Sequence, residues 1–245
     1  MDNDITSYDF AVKFWGDRAC FTRPELKVER MTYPVMTPSA ARGALEAIFW
    51  KPEMRWEVRE IWVLNEIKEM SIMRNEIKDR QSAQIETFIA EDRRAQRTSL
   101  FLKEPSYLVF ADIRVKPSAK ANKTGYIEQI NRRLEKGRCF HQPYLGTREC
   151  TAFFSEADDK DRKKCQEINL KIGCMLFDTA FCRNNKKLQD SIQFIRHRKC
   201  VEENIRDIVW GIPKHIFFDA SLENGKLKVP RYKYDELYRL EEVDV

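Results

Sequence analysis

The chain has 245 residues, of which 42% are hydrophobic and 34% are charged, and its formal net charge is +5. This balance excludes a disordered or low-complexity chain, and the length suits one compound domain or a domain with an appendage. No apolar run is long enough to span a bilayer, and Met1-Asp2-Asn3-Asp4 is acidic where a signal peptide is basic. A cytoplasmic protein without a membrane partner is therefore expected.

The N-terminal third predicts a strand, a helix and a second strand. Apolar residues alternate over 10–15, the pattern of a strand. Thr37-Pro38 supplies a helix cap and a proline in the first turn, and an apolar helical run over 40–50 follows. Segment 55–67 predicts another strand, with one irregularity near Glu60 where the parity of the apolar residues changes.

The middle of the chain predicts the rest of a split β-α-β arrangement. Segment 68–97 is polar and contains neither Gly nor Pro, so a long insertion or an extended hairpin is expected. Alternation over 107–113 predicts a strand, and one apolar face over 126–136, closed by Gly137, predicts a helix. A further strand over 150–154 completes the order strand-helix-strand-strand-helix-strand, which is typical of ferredoxin-like folds.

The C-terminal third predicts more β-structure. The apolar run 172–181 is typical of a strand, and Asn224-Gly225 between apolar segments is a strong hairpin signal. Segment 158–164 is expected to be a charged loop. The tail 232–245 is polar and is expected to be loosely held.

The predicted fold class is therefore α+β. A ferredoxin-like (RRM-like) RNA-binding domain is expected over 1–155, with the long insertion at about 68–97. A small C-terminal β-sheet appendage and the polar tail are expected over 156–245.

The basic residues are concentrated in a few segments. Between Arg114 and Arg138 there are eight basic and two acidic residues, an excess larger than that of the whole chain. A second group, Arg23, Lys27 and Arg30, lies between aromatic residues. Cations beside aromatic rings suit single-stranded nucleic acid, and ferredoxin-like sheets can bind RNA through aromatics on their open face. A solvated charged surface without a ligand is the alternative.

Several kinds of chemistry are not supported. The eight glycines form neither G-x-G-x-x-G nor a P-loop, so no nucleotide cofactor is expected. The three histidines and seven cysteines show no metal-ligand spacing, so no metal is expected and the thiols are expected to be reduced. His197 fits a surface charge run. His141 is either a neighbour of a functional site or an ordinary loop residue.

Several segments together resemble the CRISPR-associated Cas-five (Cas5) family, subtype I-C, also called the Dvulg subtype. The most specific are 21–30 (Phe-Thr-Arg-Pro-Glu-Leu-Lys-Val-Glu-Arg), 38–43 and 46–52. Shorter segments agree in order along the rest of the chain: 74–76, 96–97, 144–150, 173–176 and 223–225.

The resemblance implies an RNA-binding ferredoxin-like domain with a C-terminal β appendage. Its implied partners are precursor crRNA, mature crRNA and the other subunits of a type I-C surveillance complex, with contact to target DNA as a further option. Members of the subtype are expected to bind the repeat hairpin, cut the precursor without metal and stay on the 5′ handle. Such a cut uses the RNA 2′-hydroxyl as nucleophile and needs a base, an acid and a cation.

Three side chains depart from the family pattern. Phe49 stands where the family has Tyr before Trp-Lys-Pro, and Thr124-Gly125 stands where it has Lys-His. Substitutes are therefore expected nearby, with Lys123 as the cation and Tyr126 or His141 as the acid or base. The alternative is a non-catalytic crRNA-binding and assembly subunit.

RNA contacts are expected from Arg23, Lys27 and Arg30, which follow the first strand, and from Arg148 in the Leu-Gly-Thr-Arg segment. Each would hold a backbone phosphate. For Arg148 a surface ion pair with a nearby acid is the alternative.

Overall fold

A computed structural model of the chain describes residues 8–78, 89–117, 119, 122–184, 192–198 and 206–242. The acidic N-terminus, the centre of the predicted insertion (79–88), Lys120, and the end of the predicted tail (243–245) lie outside these ranges. So does the side chain of His197. Within the described part, no helix is long and apolar enough to cross a bilayer.

The described elements are eleven strands and four α-helices. In chain order they are β1 (Phe10–Trp15), β2 (Arg18–Ala19), α1 (Pro38–Ile48), β3 (Met54–Val63), β4 (Glu69–Ile77), β5 (Arg94–Lys103), β6 (Ser106–Val115), α2 (Lys123–Glu135), β7 (Phe153–Glu156), α3 (Asp159–Lys163), β8 (Leu170–Asn184), β9 (Ile192–Arg198), β10 (Arg206–Glu223), β11 (Lys226–Lys228) and α4 (Tyr232–Glu242). Short 3-10 helices cover Pro24–Leu26 and Ala90–Arg93.

The ferredoxin-like core is confirmed. Strands β7, β1, β6 and β3 lie side by side in that order and all pairs are antiparallel. The sequence order of the four strands across the sheet is thus fourth, first, third, second, with α1 and α2 as the two connections. The predicted irregularity in β3 is also present, because the register against β6 shifts between Val58 and Glu60.

Helix α1 starts where Thr37 predicts, whereas α2 starts at Lys123, three residues before the predicted segment, because Asn122 caps it. The Thr37 hydroxyl accepts a hydrogen bond from the Ala40 amide, and Asn122 accepts one from Gly125. Each helix packs its apolar side against the sheet, where Phe10, Val12 and Phe14 are buried in the same core. The amphipathic spacing seen in the sequence is therefore the reason these helices cover one face of the sheet.

Segment 68–97 contributes a long hairpin in its described part. Strand β4 pairs with β5 over nine residues, and β5 also pairs with β2, which makes a separate three-stranded sheet. Residues along β4 alternate between exposed and half-buried, since the hairpin projects away from the core.

The C-terminal strands continue the large sheet. Asn224 and Gly225 have φ angles of 50° and 73°, and they join β10 to β11 as the predicted hairpin. Strand β11 pairs with β3, so the sheet runs without a break from β7 to β8. The division into domains at residue 155 stays a prediction.

Three expectations about local structure were wrong. Segment 158–164 contains α3, because Asp158 and Asp161 form a capping box that satisfies backbone amides at the start of a helix. The tail forms α4, because Tyr234, Leu237 and Tyr238 recur at helical spacing and are buried. The strand expected at 150–154 begins at Phe153, since Cys150 first closes a turn by accepting a hydrogen bond from Leu145.

Candidate nucleic-acid interface

The first candidate surface is an arginine patch formed by Arg23, Arg30, Arg74, Arg97 and Arg148. Its residues come from three parts of the chain that lie far apart in sequence: the loop after β2, the β4–β5 hairpin and the turn before β7. The loop is tied to β5 because Leu100 donates its amide to the Arg30 carbonyl at 2.8 Å.

The hairpin register brings two arginines side by side. Arg74 on β4 is the direct partner of Arg97 on β5. Glu76 lies 3.9 Å from Arg74 Nη2 and 3.5 Å from Arg97 Nε, and Arg97 Nε makes no hydrogen bond within the described part of the chain. The Glu76 carboxylate therefore faces two guanidinium groups here.

The turn over 144–150 carries Arg148 and is fixed by backbone hydrogen bonds. Leu145 donates to Cys150 at 2.7 Å, and Cys20 donates to Leu145 at 3.0 Å. Gly146 has a φ of 88°, and a Cβ there would lie 2.0 Å from the Cys20 carbonyl oxygen. Only glycine allows this close approach, which holds the turn against the residues after β2.

Glu149 links the turn to both other parts of the patch. Its Oε1 atom accepts hydrogen bonds from Arg30 Nη1 at 3.0 Å and from Arg74 Nη1 at 2.9 Å. Burial alone would raise the pKa of Glu149, but a backbone hydrogen bond and the charges of Arg74 and Arg30 outweigh it and lower the pKa. The carboxylate is thus held ionised and keeps the two arginines together.

The predicted RNA-contact residues lie in or beside this patch. The Arg23 guanidinium stacks over the Tyr33 ring at 4.5 Å. Lys27 and Arg148 are exposed, and among the described residues neither has an acidic partner at ion-pair distance. The alternative of a surface ion pair for Arg148 therefore finds no support within those residues.

Sequence reasoning noted Arg97 only as part of a basic group with Arg93 and Arg94, and it missed Arg74. Both fall in short segments, 74–76 and 96–97, that carried the family resemblance without an assigned role. The signal that could have found them is the antiparallel register of a hairpin, which places two distant Arg residues opposite each other.

A second candidate surface lies where α1 ends. Phe49, at the position of the family's Tyr, is only 2% exposed, and its ring lies 6.3 Å from the Tyr126 ring. The Arg133 guanidinium stands 5.1 Å from the Phe49 ring and donates a hydrogen bond to the Ile48 carbonyl. Tyr126 is itself buried, at 4% exposed.

The structure separates the other two predicted catalytic residues. Lys123 opens α2, and its Nζ lies 2.7 Å from Asp9 Oδ2. His141 follows the opposite end of α2 and is exposed, and its backbone amide donates a hydrogen bond to the Ala47 carbonyl at 3.3 Å. The helix between these ends is about 18 Å long at 1.5 Å per residue, so Lys123 and His141 lie at opposite ends of it.

The centre of the open face of the ferredoxin-like sheet is not a free aromatic surface. Phe110 and Leu108, at the centre of this face, are buried. Helix α3 crosses over them: Asp161 pairs with Lys13, and the Arg162 guanidinium stands 5.2 Å from the Phe110 ring. The analogy with sheets that bind RNA through this face therefore does not apply to these residues.

The basic stretch 114–138 does not form one surface either. Arg114 stacks on Tyr238 of α4 at 4.6 Å, whereas Arg133 packs between the two long helices. Arg132, Lys136 and Arg138 are exposed. The part of the chain that the structure describes has no group of three His, Cys, Asp or Glu side chains arranged to hold a metal.

Comparisons with known proteins agree with this picture. A family model described as "CRISPR-associated protein (Cas_Cas5)" matches residues 10–230. A Thermus thermophilus protein named CRISPR pre-crRNA endoribonuclease Cas5d is 49% identical over 231 residues, covering 94% of this chain and 95% of the relative. A Mannheimia succiniciproducens protein of the same name is 37% identical over 245 residues, covering 92% and 96%. A crystal structure described as a CRISPR-associated protein superposes with a TM-score of 0.59 at 19% identity, covering 96% of this chain and 94% of that one.

Proposed function

Because the chain belongs to the CRISPR-associated Cas5 family, in its Cas5d branch of subtype I-C, we propose that it is a precursor-crRNA endoribonuclease. The observation that carries this proposal is 49% identity, over 94% of the chain, to a relative named for that activity. Binding of the repeat, retention of the 5′ handle within a type I-C surveillance complex and a cytoplasmic location belong to the same proposal.

The arginine patch supports the RNA-binding part. Guanidinium groups hold phosphates through paired hydrogen bonds, and the patch gathers five of them from three separate segments. Glu149 lies between Arg30 and Arg74 and prevents them from spreading apart. A row of fixed cations of this kind would hold the RNA backbone without reading its bases.

The proposed reaction is an intramolecular transesterification of the RNA backbone. The 2′-oxygen attacks the adjacent phosphorus, the bond to the 5′-oxygen breaks, and a 2′,3′-cyclic phosphate and a 5′-hydroxyl result. One group must take the 2′-hydroxyl proton and another must protonate the departing oxygen. We assign one of these roles to His141, because it is exposed and imidazole is the side chain that most often transfers protons in enzymes.

A second candidate function is a non-catalytic crRNA-binding subunit. The observation that favours it is Phe49, which cannot exchange a proton and is buried against Arg133. Tyr126 and Lys123 do not easily replace the missing catalytic side chains, since Tyr126 is buried and Lys123 is paired with Asp9.

Incubation of the purified protein with its own repeat RNA in EDTA distinguishes the two functions. We expect one cut that leaves a 2′,3′-cyclic phosphate, detected by its resistance both to periodate and to phosphatase until acid opens the ring. His141→Ala should slow this cut by about 10²- to 10⁴-fold, the usual contribution of a general acid or base, without changing the RNA dissociation constant.

Lys123→Ala is the matched variant at the other end of α2. We expect it to cut at nearly the normal rate because Asp9 already neutralises its ammonium group. Loss of cutting in Lys123→Ala alone would move the reaction to that end of the helix. A stable, uncut complex with the unaltered protein would favour the binding subunit.

Alanine substitutions in the arginine patch, and at the predicted RNA contact Lys27, should weaken RNA binding and also change its salt dependence. For Lys27→Ala, Arg30→Ala, Arg74→Ala and Arg148→Ala we expect the slope of log K against log salt to become shallower by about 0.7 to 0.9 for each phosphate that the variant no longer neutralises. Arg94→Ala is the control, because Arg94 is exposed on the same hairpin but lies outside the patch. Slopes equal to that of the unaltered protein would remove the patch from the interface.

A further inference from the structure

Phe140 is the most exposed large apolar side chain among the described residues, at 81%. It lies in the connection between α2 and β7, beside His141. Trp50, the second residue after α1, is 53% exposed. A large flat ring that the fold leaves exposed is available to stack on a ligand.

The backbone that carries Phe140 is held firmly. Gly137 has a φ of 57°, and the Gly137 and Arg138 amides donate to Leu134 and Arg133, which ends α2 in a Schellman turn. The Phe140 amide then donates to the Ala47 carbonyl at 2.8 Å, which is one of the free carbonyls at the end of α1.

The residues after His141 are anchored as well. The Gln142 side chain donates to the Ala152 carbonyl at 2.6 Å, and the Ala152 amide donates to Pro143 at 2.9 Å. The exposed ring is therefore presented by a fixed backbone, and its exposure does not result from a loose loop. The His141 ring lies beside it, with the two centroids 5.9 Å apart.

The surroundings of these rings are basic. The last turn of α2 and the residues just after each of the two helices carry five cations and two acids: Lys51, Arg132, Arg133, Lys136 and Arg138 against Glu53 and Glu135. This charge favours a polyanion over an apolar protein surface as the occupant. Flat rings bordered by cations are the arrangement that binds unstacked bases of single-stranded nucleic acid.

We propose that Phe140, held at the end of α1 where Trp50 is also exposed, forms a stacking site for an unpaired base of single-stranded RNA. The inference rests on the proposed function and deepens it, because it says which part of the substrate meets which surface. The arginine patch holds the backbone, and Phe140 lies nine positions before Glu149, the residue that links the patch, in the chain. The substrate needs at least one unpaired nucleotide beside its folded stem.

The test is equilibrium binding of a single-stranded fragment of the repeat to the purified full-length chain. Phe140→Ala should raise the dissociation constant by roughly 5- to 100-fold, the usual effect of removing one stacking ring. Phe140→Tyr keeps a flat ring and should bind within about threefold of the unaltered protein. Urea denaturation should show unchanged stability for both variants, since the side chain is exposed.

Phe153→Ala is the matched control, because Phe153 is 53% exposed but lies on β7 with its ring stacked on Trp15. It should leave RNA affinity unchanged. Annealing the fragment to its complement should abolish the difference between the unaltered protein and Phe140→Ala, since paired bases cannot stack on the ring.

The outcomes separate this inference from the proposed function. Equal affinity of the unaltered protein and Phe140→Ala for the unpaired fragment would overturn the stacking site alone. Loss of a protein partner in Phe140→Ala with unchanged RNA affinity would assign the ring to protein assembly and also overturn it. Failure of the unaltered protein to bind any RNA at low salt would overturn the proposed function as well.

Discussion

Replacing Arg42 with alanine is expected to lower the free energy of unfolding by about 3 kcal/mol, near the lower end of the range for breaking a buried ion pair. Arg42 on α1 donates two hydrogen bonds to the buried Asp178 of β8, from Nε at 2.7 Å and from Nη2 at 2.9 Å. It also donates to Glu46 at 2.7 Å. Without the cation, Asp178 keeps a charge in a site that water hardly reaches.

The physical reason is the link that this one side chain makes between two distant parts of the fold. Burial alone would lower the pKa of Arg42, but the charges of Asp178 and Glu46 outweigh it and raise the pKa, so the guanidinium stays charged. The expected loss of stability lies near the lower end of the range for buried ion pairs, because Arg42 is 29% exposed and water can partly replace its side chain.

Urea denaturation of three variants measures this effect. Arg94→Ala removes an exposed ion pair with Glu91 and should cost less than about 0.5 kcal/mol. Adding Asp178→Asn to Arg42→Ala should recover part of the loss, because the uncompensated charge disappears. An Arg42→Ala variant as stable as Arg94→Ala would contradict the prediction.

Gly146→Ala is expected to cost about 3 kcal/mol and to abolish RNA binding by the arginine patch. A non-glycine residue at this φ of 88° carries strain of roughly 1 to 3 kcal/mol. The added Cβ would also lie 2.0 Å from the Cys20 carbonyl oxygen, and backbone atoms cannot move aside as a side chain could. The turn that carries Arg148 and Glu149 would therefore have to shift.

Gly43→Ala is the opposite case in the same chain. Gly43 is exposed inside α1, and a Cβ there meets nothing within 4 Å. The substitution should stabilise the protein by about 0.5 to 1 kcal/mol, since alanine has the higher helix propensity. Denaturation curves and RNA titrations of both variants check the pair. Equal stability of the two variants would show that the turn accepts a side chain.

Much of the fold could be predicted from the sequence because its signals are local. Alternation over Phe10–Trp15, the Thr37 cap of α1 and the Asn224-Gly225 hairpin each depend on residues within one element. The strand order then follows from the sequence of elements, since a β-α-β-β-α-β chain has few sheet topologies that bury both helices. The predictions for α3 and α4 were wrong because charged residues dominate both segments. In α3 the capping box and in α4 the narrow apolar stripe were therefore not recognised.

The candidate site was only half predictable. Arg23, Lys27, Arg30 and Arg148 could be named because cations stand out in sequence, yet Arg74 and Arg97 belong to the same patch only through the β4–β5 register. The sequence did not indicate a role for Phe140, because a single aromatic residue in a loop is most often buried. Its exposure depends on how α1 and α2 end against each other.

The amino-acid sequence alone determined the elements, their order and the chemical class of the surface: an α+β chain that carries cations beside aromatic rings. Only the tertiary structure decided which cations share a surface, that α3 covers the centre of the open face of the sheet, and that Lys123 and His141 lie at opposite ends of α2. The reason is that periodicity and capping act over a few residues. The positions of charged and aromatic side chains relative to one another, by contrast, depend on packing between segments that are tens of residues apart in the chain.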